Sequence, residues 1–140
     1  MEDWLPHRAD TLAEQTPSRI FVVDNESLIA TTLAAILERN GYRASSFTES
    51  QDALQAARLF PPDLLISDVA MPRISGIELA IQIRESHPRC SVLLFSGQPE
   101  TATLLERARL RGHSFELLNK PIHPVEFLER IRIVIHNLPS

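Results

Sequence analysis

From Ile20 onward the chain alternates short apolar runs with longer segments whose apolar positions recur every three or four residues, the texture of strands and helices taking turns. Ile20-Phe21-Val22-Val23 is unbroken and rich in β-branched residues, which suits a central strand covered on both faces. Leu28, Ile29, Leu33, Ile36 and Leu37 follow at helical spacing, and Asn40-Gly41 supplies a left-handed stop. Tyr42 to Ser46 reads as a second, less apolar strand, and Thr48 and Gln51 stand at capping-box spacing before a helix through Leu59 that Pro61-Pro62 ends. Leu64-Leu65-Ile66 predicts a third strand running out at Asp68. After a loop holding Pro72 and Gly76, the residues Ile77, Leu79, Ala80, Ile81 and Ile83 predict the third helix. A strand from Ser91 to Phe95 ends at Ser96-Gly97, and a helix from Thr101 to Arg111 stops at Gly112. The last strand, Phe115 to Leu118, runs into Asn119-Lys120-Pro121. Val125, Phe127, Leu128, Ile131, Val134, Ile135 and Leu138 make a closing helix, with Pro124 in its first turn. Strands alternating with helices in this way predict an α/β fold on a parallel sheet.

A length of 140 residues with 44% hydrophobic and 23% charged residues suits one domain with a buried core. Residues 1–18, mixed in charge and broken by Pro6 and Pro17, read as an N-terminal arm, in which Trp4, Leu5 and Leu12 suggest a short docking helix. The formal charge of -4 offers no broad footprint for nucleic acid or an anionic membrane. The single cysteine, Cys90, makes neither an internal disulfide nor a zinc site and reads as a small buried apolar side chain. With no signal peptide or membrane span in the sequence, a cytoplasmic location is expected.

Ligand sites of open parallel sheets lie beyond the carboxyl ends of the strands. Here those ends carry Asp24-Asn25-Glu26, Asp68, Ser96 and Lys120. Each alone is an ordinary cap or turn residue; their shared edge is what points to a site. The histidines have no metal-ligand spacing, and Arg107, Arg109 and Arg111 read as a solvated helix face.

The constellation VVDNE, SDVAMPRISGIEL, FSG and NKPI resembles the receiver domain of two-component response regulators, over about residues 19–138. The resemblance implies a doubly wound, flavodoxin-like five-stranded sheet in the order 2-1-3-4-5. It also implies Asp68 as phosphoacceptor, with Ser96, Gly97 and Lys120 binding the phosphoryl group and a cis Lys120–Pro121 peptide. Mg²⁺ would be held by Asp24, Asn25, Asp68 and the backbone carbonyl of Ala70, and the donor would be a histidine kinase or histidine phosphotransfer protein. Beyond self-phosphorylation and autodephosphorylation, no enzymatic activity is implied. Ala70 and Gln98 flank the phosphoryl position and are expected to tune attack by water.

Two positions depart from the family pattern. Asn25 stands where a second acidic residue is usual, which predicts weakened rather than abolished Mg²⁺ binding. Two carboxylates ~4 Å apart repel by about 4 kcal/mol at an effective dielectric near 20, so the substitution also relieves the metal-free site. Leu117 stands where an aromatic residue normally follows the switch hydroxyl of Ser96, and Phe115, two residues earlier, shares its face of the strand. A flavin carrier would need an amide-rich loop where Asp24 and Glu26 stand, and an aspartyl-phosphate hydrolase would want an acid at Ala70. A degenerate receiver that binds its partner without phosphorylation stays open as the alternative. Nothing after the closing helix is long enough for an output domain, which leads to the expectation of a stand-alone regulator acting by protein contacts, without direct DNA binding.

Overall fold

The apolar runs become the middle of a sheet. A computed structural model describes residues 18–136, so the expected N-terminal arm and its docking helix lie outside the described residues, as does Leu138. In chain order the elements are β1 (Arg19–Val23), α1 (Ser27–Arg39), β2 (Arg43–Phe47), α2 (Ser50–Leu59), β3 (Leu64–Asp68), α3 (Gly76–Ser86), β4 (Ser91–Ser96), α4 (Thr101–Leu110), β5 (Glu116–Asn119) and α5 (Pro124–His136). All strand pairs are parallel, in the order β2-β1-β3-β4-β5. The two least apolar strands, β2 and β5, are the edges.

Alternation along the central strands divides the core in two. Phe21, Val23, Leu65 and Leu94 face Ala53 and Ala57 of α2, Leu79 and Ile83 of α3, and Ala108 of α4. Ile20, Val22, Leu64, Ile66, Leu93 and Phe95 face Leu33 and Leu37 of α1 and Phe127 and Ile131 of α5. The sheet is therefore doubly wound, with helices on both faces. The helices are unequally anchored: α3 buries Ile77, Leu79, Ala80, Ile81 and Ile83, whereas α4 buries only Thr101 and Ala108.

Gly41 and Gly112 both adopt positive φ (+90° and +94°), as helix stops require. Several expectations need correction. The capping box does not form: α2 begins at Ser50 after Glu49, which makes no side-chain cap bond, and the Ser50 hydroxyl instead donates to the Ile74 carbonyl. Gly76 is not a loop residue but the first residue of α3, capped by Ser75, whose Oγ accepts from the Glu78 amide. Leu28 and Val125 share the helical spacing yet are 78% and 69% exposed, because each sits in a first turn rotated off the buried stripe. Cys90 is buried, its thiol pushed up to about 12 by burial.

Candidate phosphoryl-transfer site

Register brings the polar strand ends to one level. Val23 pairs with Ser67, so Asp24 and Asp68 emerge side by side; Asp68 pairs with Phe95, and Ser96 with Asn119. Lys120, one residue further, reaches back over the Phe95 ring, its Nζ 5.3 Å from the centroid. That ammonium lies 3.3 Å from Asp68 Oδ2 and 3.8 Å from Asp24 Oδ2. A cation thus stands between two carboxylates at the carboxyl edge of the sheet. The Lys120–Pro121 peptide is cis, and the Lys120 amide donates to the Ser96 carbonyl at 2.9 Å.

The two carboxylates are unequal. Asp24 is fully buried, and its Oδ1 accepts the Glu26 amide at 2.8 Å. Its Oδ2 is buried without a hydrogen-bond partner, since Lys120 is at ion-pair but not hydrogen-bond distance. Burial raises the Asp24 carboxyl above its ordinary value of 3.8; the charge of Asp68 adds to that, while the Glu26 amide and Lys120 oppose it. Asp68 is 5% exposed, with Oδ1 accepting weakly from the Ala70 amide at 3.4 Å and Oδ2 facing Lys120. It is thus a nearly buried carboxylate with one oxygen beside a positive charge, and such a charge is what a nucleophilic carboxylate meeting an anionic phosphoryl group requires.

Asn25 is exposed on the rim of a cleft of about 590 Å³, together with Thr48, Glu49, Met71, Arg73 and Ile74. Among the described residues no three His, Cys, Asp or Glu side chains cluster as a metal site. The oxygen donors nevertheless suit a hard divalent cation, and the unpartnered Asp24 Oδ2 is the observation that favours one. Ser96, by contrast, is turned into the protein. Its Oγ accepts the Gln98 amide at 3.0 Å and lies 2.5 Å from Thr101 Oγ1. Leu117 and Phe115 are partly buried on the same face, against the α2–α3–α4 side of the core, as the strand period predicts.

Gly76 and Thr101 belong to this site although sequence reasoning assigned neither to it. A Cβ on Gly76 would fall 2.0 Å from the Asp68 carbonyl oxygen, so only glycine lets α3 start against the end of β3. The Ser67 hydroxyl donates to that same carbonyl at 2.9 Å. Neither carries a signal of this in the sequence: Gly76 stands among turn formers, and Thr101 lies five residues past Ser96 across a loop. No helix among the described residues is long and apolar enough to cross a membrane.

The family model for the response regulator receiver domain matches residues 20–132. The transcriptional regulatory protein PdtaR of Mycobacterium tuberculosis is 32% identical over 120 residues, covering 85% of this chain and 57% of PdtaR. The alkaline phosphatase synthesis transcriptional regulatory protein PhoP of Bacillus subtilis is 30% identical over 117 residues, covering 84% of this chain and 48% of PhoP. The chain thus spans about half the length of these relatives. The crystal structure of a response regulator receiver domain protein from Clostridium thermocellum superposes with a TM-score of 0.75 at 26% identity, over 85% of this chain and 94% of that one.

Proposed function

Because the chain belongs to the response regulator receiver family, we propose that it accepts a phosphoryl group on Asp68 from a histidine kinase or histidine phosphotransfer protein and signals through protein contacts. The observation that carries this reading is Lys120 Nζ at 3.3 Å from the carboxylate of Asp68, the last residue of β3 at the carboxyl edge of the sheet. In the transfer, an Asp68 oxygen forms a bond to phosphorus as the phosphorus–nitrogen bond of the donor breaks, leaving the imidazole with its electron pair. Lys120 pairs with one phosphoryl oxygen, while the Ser96 hydroxyl and the Gly97 amide donate to others. Hydrolysis reverses the state: water attacks phosphorus, and the Asp68 carboxylate leaves with inorganic phosphate as the other product. Ala70 and Gln98 flank that approach and set its rate.

Asp24, Asp68, Asn25 through its amide oxygen and the Ala70 carbonyl would hold Mg²⁺, with Asp24 Oδ2 as the buried donor that lacks a partner. When bound, Mg²⁺ supplies charge neutralisation at the phosphoryl oxygens. Such ions are commonly held by one or two carboxylates plus water and phosphate, so the missing acid at Asn25 weakens the site without removing it.

The test is intact-mass analysis of the full chain after exposure to acetyl phosphate, with and without Mg²⁺, beside Asp68→Asn. A Mg²⁺-dependent phosphoryl adduct, absent from Asp68→Asn, is expected. No adduct at saturating donor and Mg²⁺ would favour the second reading, a receiver that binds its partner without phosphorylation. Asn25 and Leu117 are the observations on that side.

A further inference from the structure

Ser96 and Thr101 are 3% and 2% exposed, and their hydroxyl oxygens lie 2.5 Å apart. Among the described residues, the hydrogen bonds of Ser96 Oγ run to Gln98 and Thr101, not to Asp68 or Lys120. A serine hydroxyl has one proton to donate and two lone pairs, and one lone pair already takes the Gln98 amide. Either hydroxyl can donate in the Ser96–Thr101 pair, so the constraint is one of placement: with every partner of Ser96 Oγ away from Asp68 and Lys120, the side chain has to turn away from Thr101 to reach a phosphoryl oxygen on Asp68. Thr101 would then keep a buried hydroxyl stripped of its partner, at the first residue of α4.

We infer that Thr101 is a positioning residue that holds the Ser96 hydroxyl in its unphosphorylated orientation, and that its release carries the phosphorylation state into the start of α4. The inference rests on Asp68 being the phosphoacceptor. It also answers the absence of an aromatic side chain at Leu117. Coupling through the Ser96–Thr101 pair needs no ring to swing inward, because the partner that Ser96 leaves is itself part of the helix that responds. A buried hydroxyl that loses its partner favours the state in which the pair is closed, so the latch opposes phosphoryl binding. Removing the Thr101 hydroxyl without changing side-chain shape should therefore tighten that binding.

The experiment is a titration of the full chain with beryllofluoride at fixed Mg²⁺, followed by backbone amide NMR, for the wild type, Thr101→Val, Thr101→Ser and Asp68→Asn. Thr101→Val is expected to bind about fivefold more tightly, as loss of one ordinary hydrogen bond predicts. Its free-state amide signals from Gly97 to Leu104 should move toward the wild-type bound positions, and Thr101→Ser should restore wild-type affinity. Equal or weaker binding by Thr101→Val, with the wild type binding normally, would overturn the inference and leave the acceptor reading standing. Absence of wild-type binding, or binding by Asp68→Asn as strong as wild type, would overturn the acceptor reading and the inference with it. Should Thr101→Val not fold, Thr101→Ala is read by the same criteria.

Discussion

The two halves of the site solve opposite problems. On the β1–β3 side, Asp24 is buried with an oxygen that no group satisfies, so that half is held in an unfavourable electrostatic state that a cation would relieve. On the β4 side, Ser96 is buried with its hydrogen bonds met by Gln98 and Thr101, so that half is at rest and must be drawn out. The contrast teaches that chemistry at one sheet edge can be poised on one side and restrained on the other, with Lys120 shared between them. On the proposed function, a phosphoryl group arriving at Asp68 gains from the first half and works against the second.

The largest expected effect comes from moving the acidic half bodily. Gly76→Ala would place a Cβ 2.0 Å from the Asp68 carbonyl oxygen and 2.8 Å from Ser67 Oγ. It should cost about 3 kcal/mol in chemical denaturation, the upper range for overpacking a tight site, and suppress the acetyl phosphate adduct. A variant with wild-type stability would show that α3 can slide away from β3. The next contrast adds charge to the same half. Asn25→Asp should tighten Mg²⁺ binding about tenfold by calorimetry, as one added carboxylate near a divalent cation predicts. Unchanged affinity would place residue 25 away from the ion.

The smallest effect tests the frustration directly. Since burial raises the Asp24 carboxyl above 3.8, the native state binds more protons than the unfolded state just above that pH. Stability without Mg²⁺ should therefore fall as pH climbs from 3.8 through the raised native value. Asp24→Asn should remove that dependence and gain on the order of 1 kcal/mol at neutral pH without Mg²⁺, yet nothing below 3.8, where both side chains are uncharged. Thermal melts at the two pH values decide it, and an equal gain at both would assign the effect to packing rather than to charge.

Much of this was legible in the sequence because the strands end sharply. Each apolar run is followed at once by Asp24, Asp68, Ser96 or Lys120, and parallel pairing puts such endings on one edge whatever the loops do. Features that depend on which neighbour a side chain meets were not legible. Thr101 has the appearance of any first-turn threonine, and only the fold reveals that its hydroxyl faces Ser96. Gly76 sits among turn formers, and its closeness to the Asp68 carbonyl is a tertiary fact. Thr48 and Gln51 have the spacing of a cap, but the helix starts one residue beyond the frame that spacing requires. Leu28 stands among the apolar positions of α1 and still faces outward, because it lies on a side of the first turn rotated away from Leu33 and Leu37.

The sparse anchoring of α4 has a consequence for where the molecule comes apart. A helix whose only buried residues are Thr101 and Ala108 gives up little apolar contact when it detaches, so its amides should exchange with solvent through local opening well before those of α3 or the central strands. Among the described helices the most weakly anchored one then begins beside the candidate site, and one hydroxyl pair closes the end of it nearest Ser96.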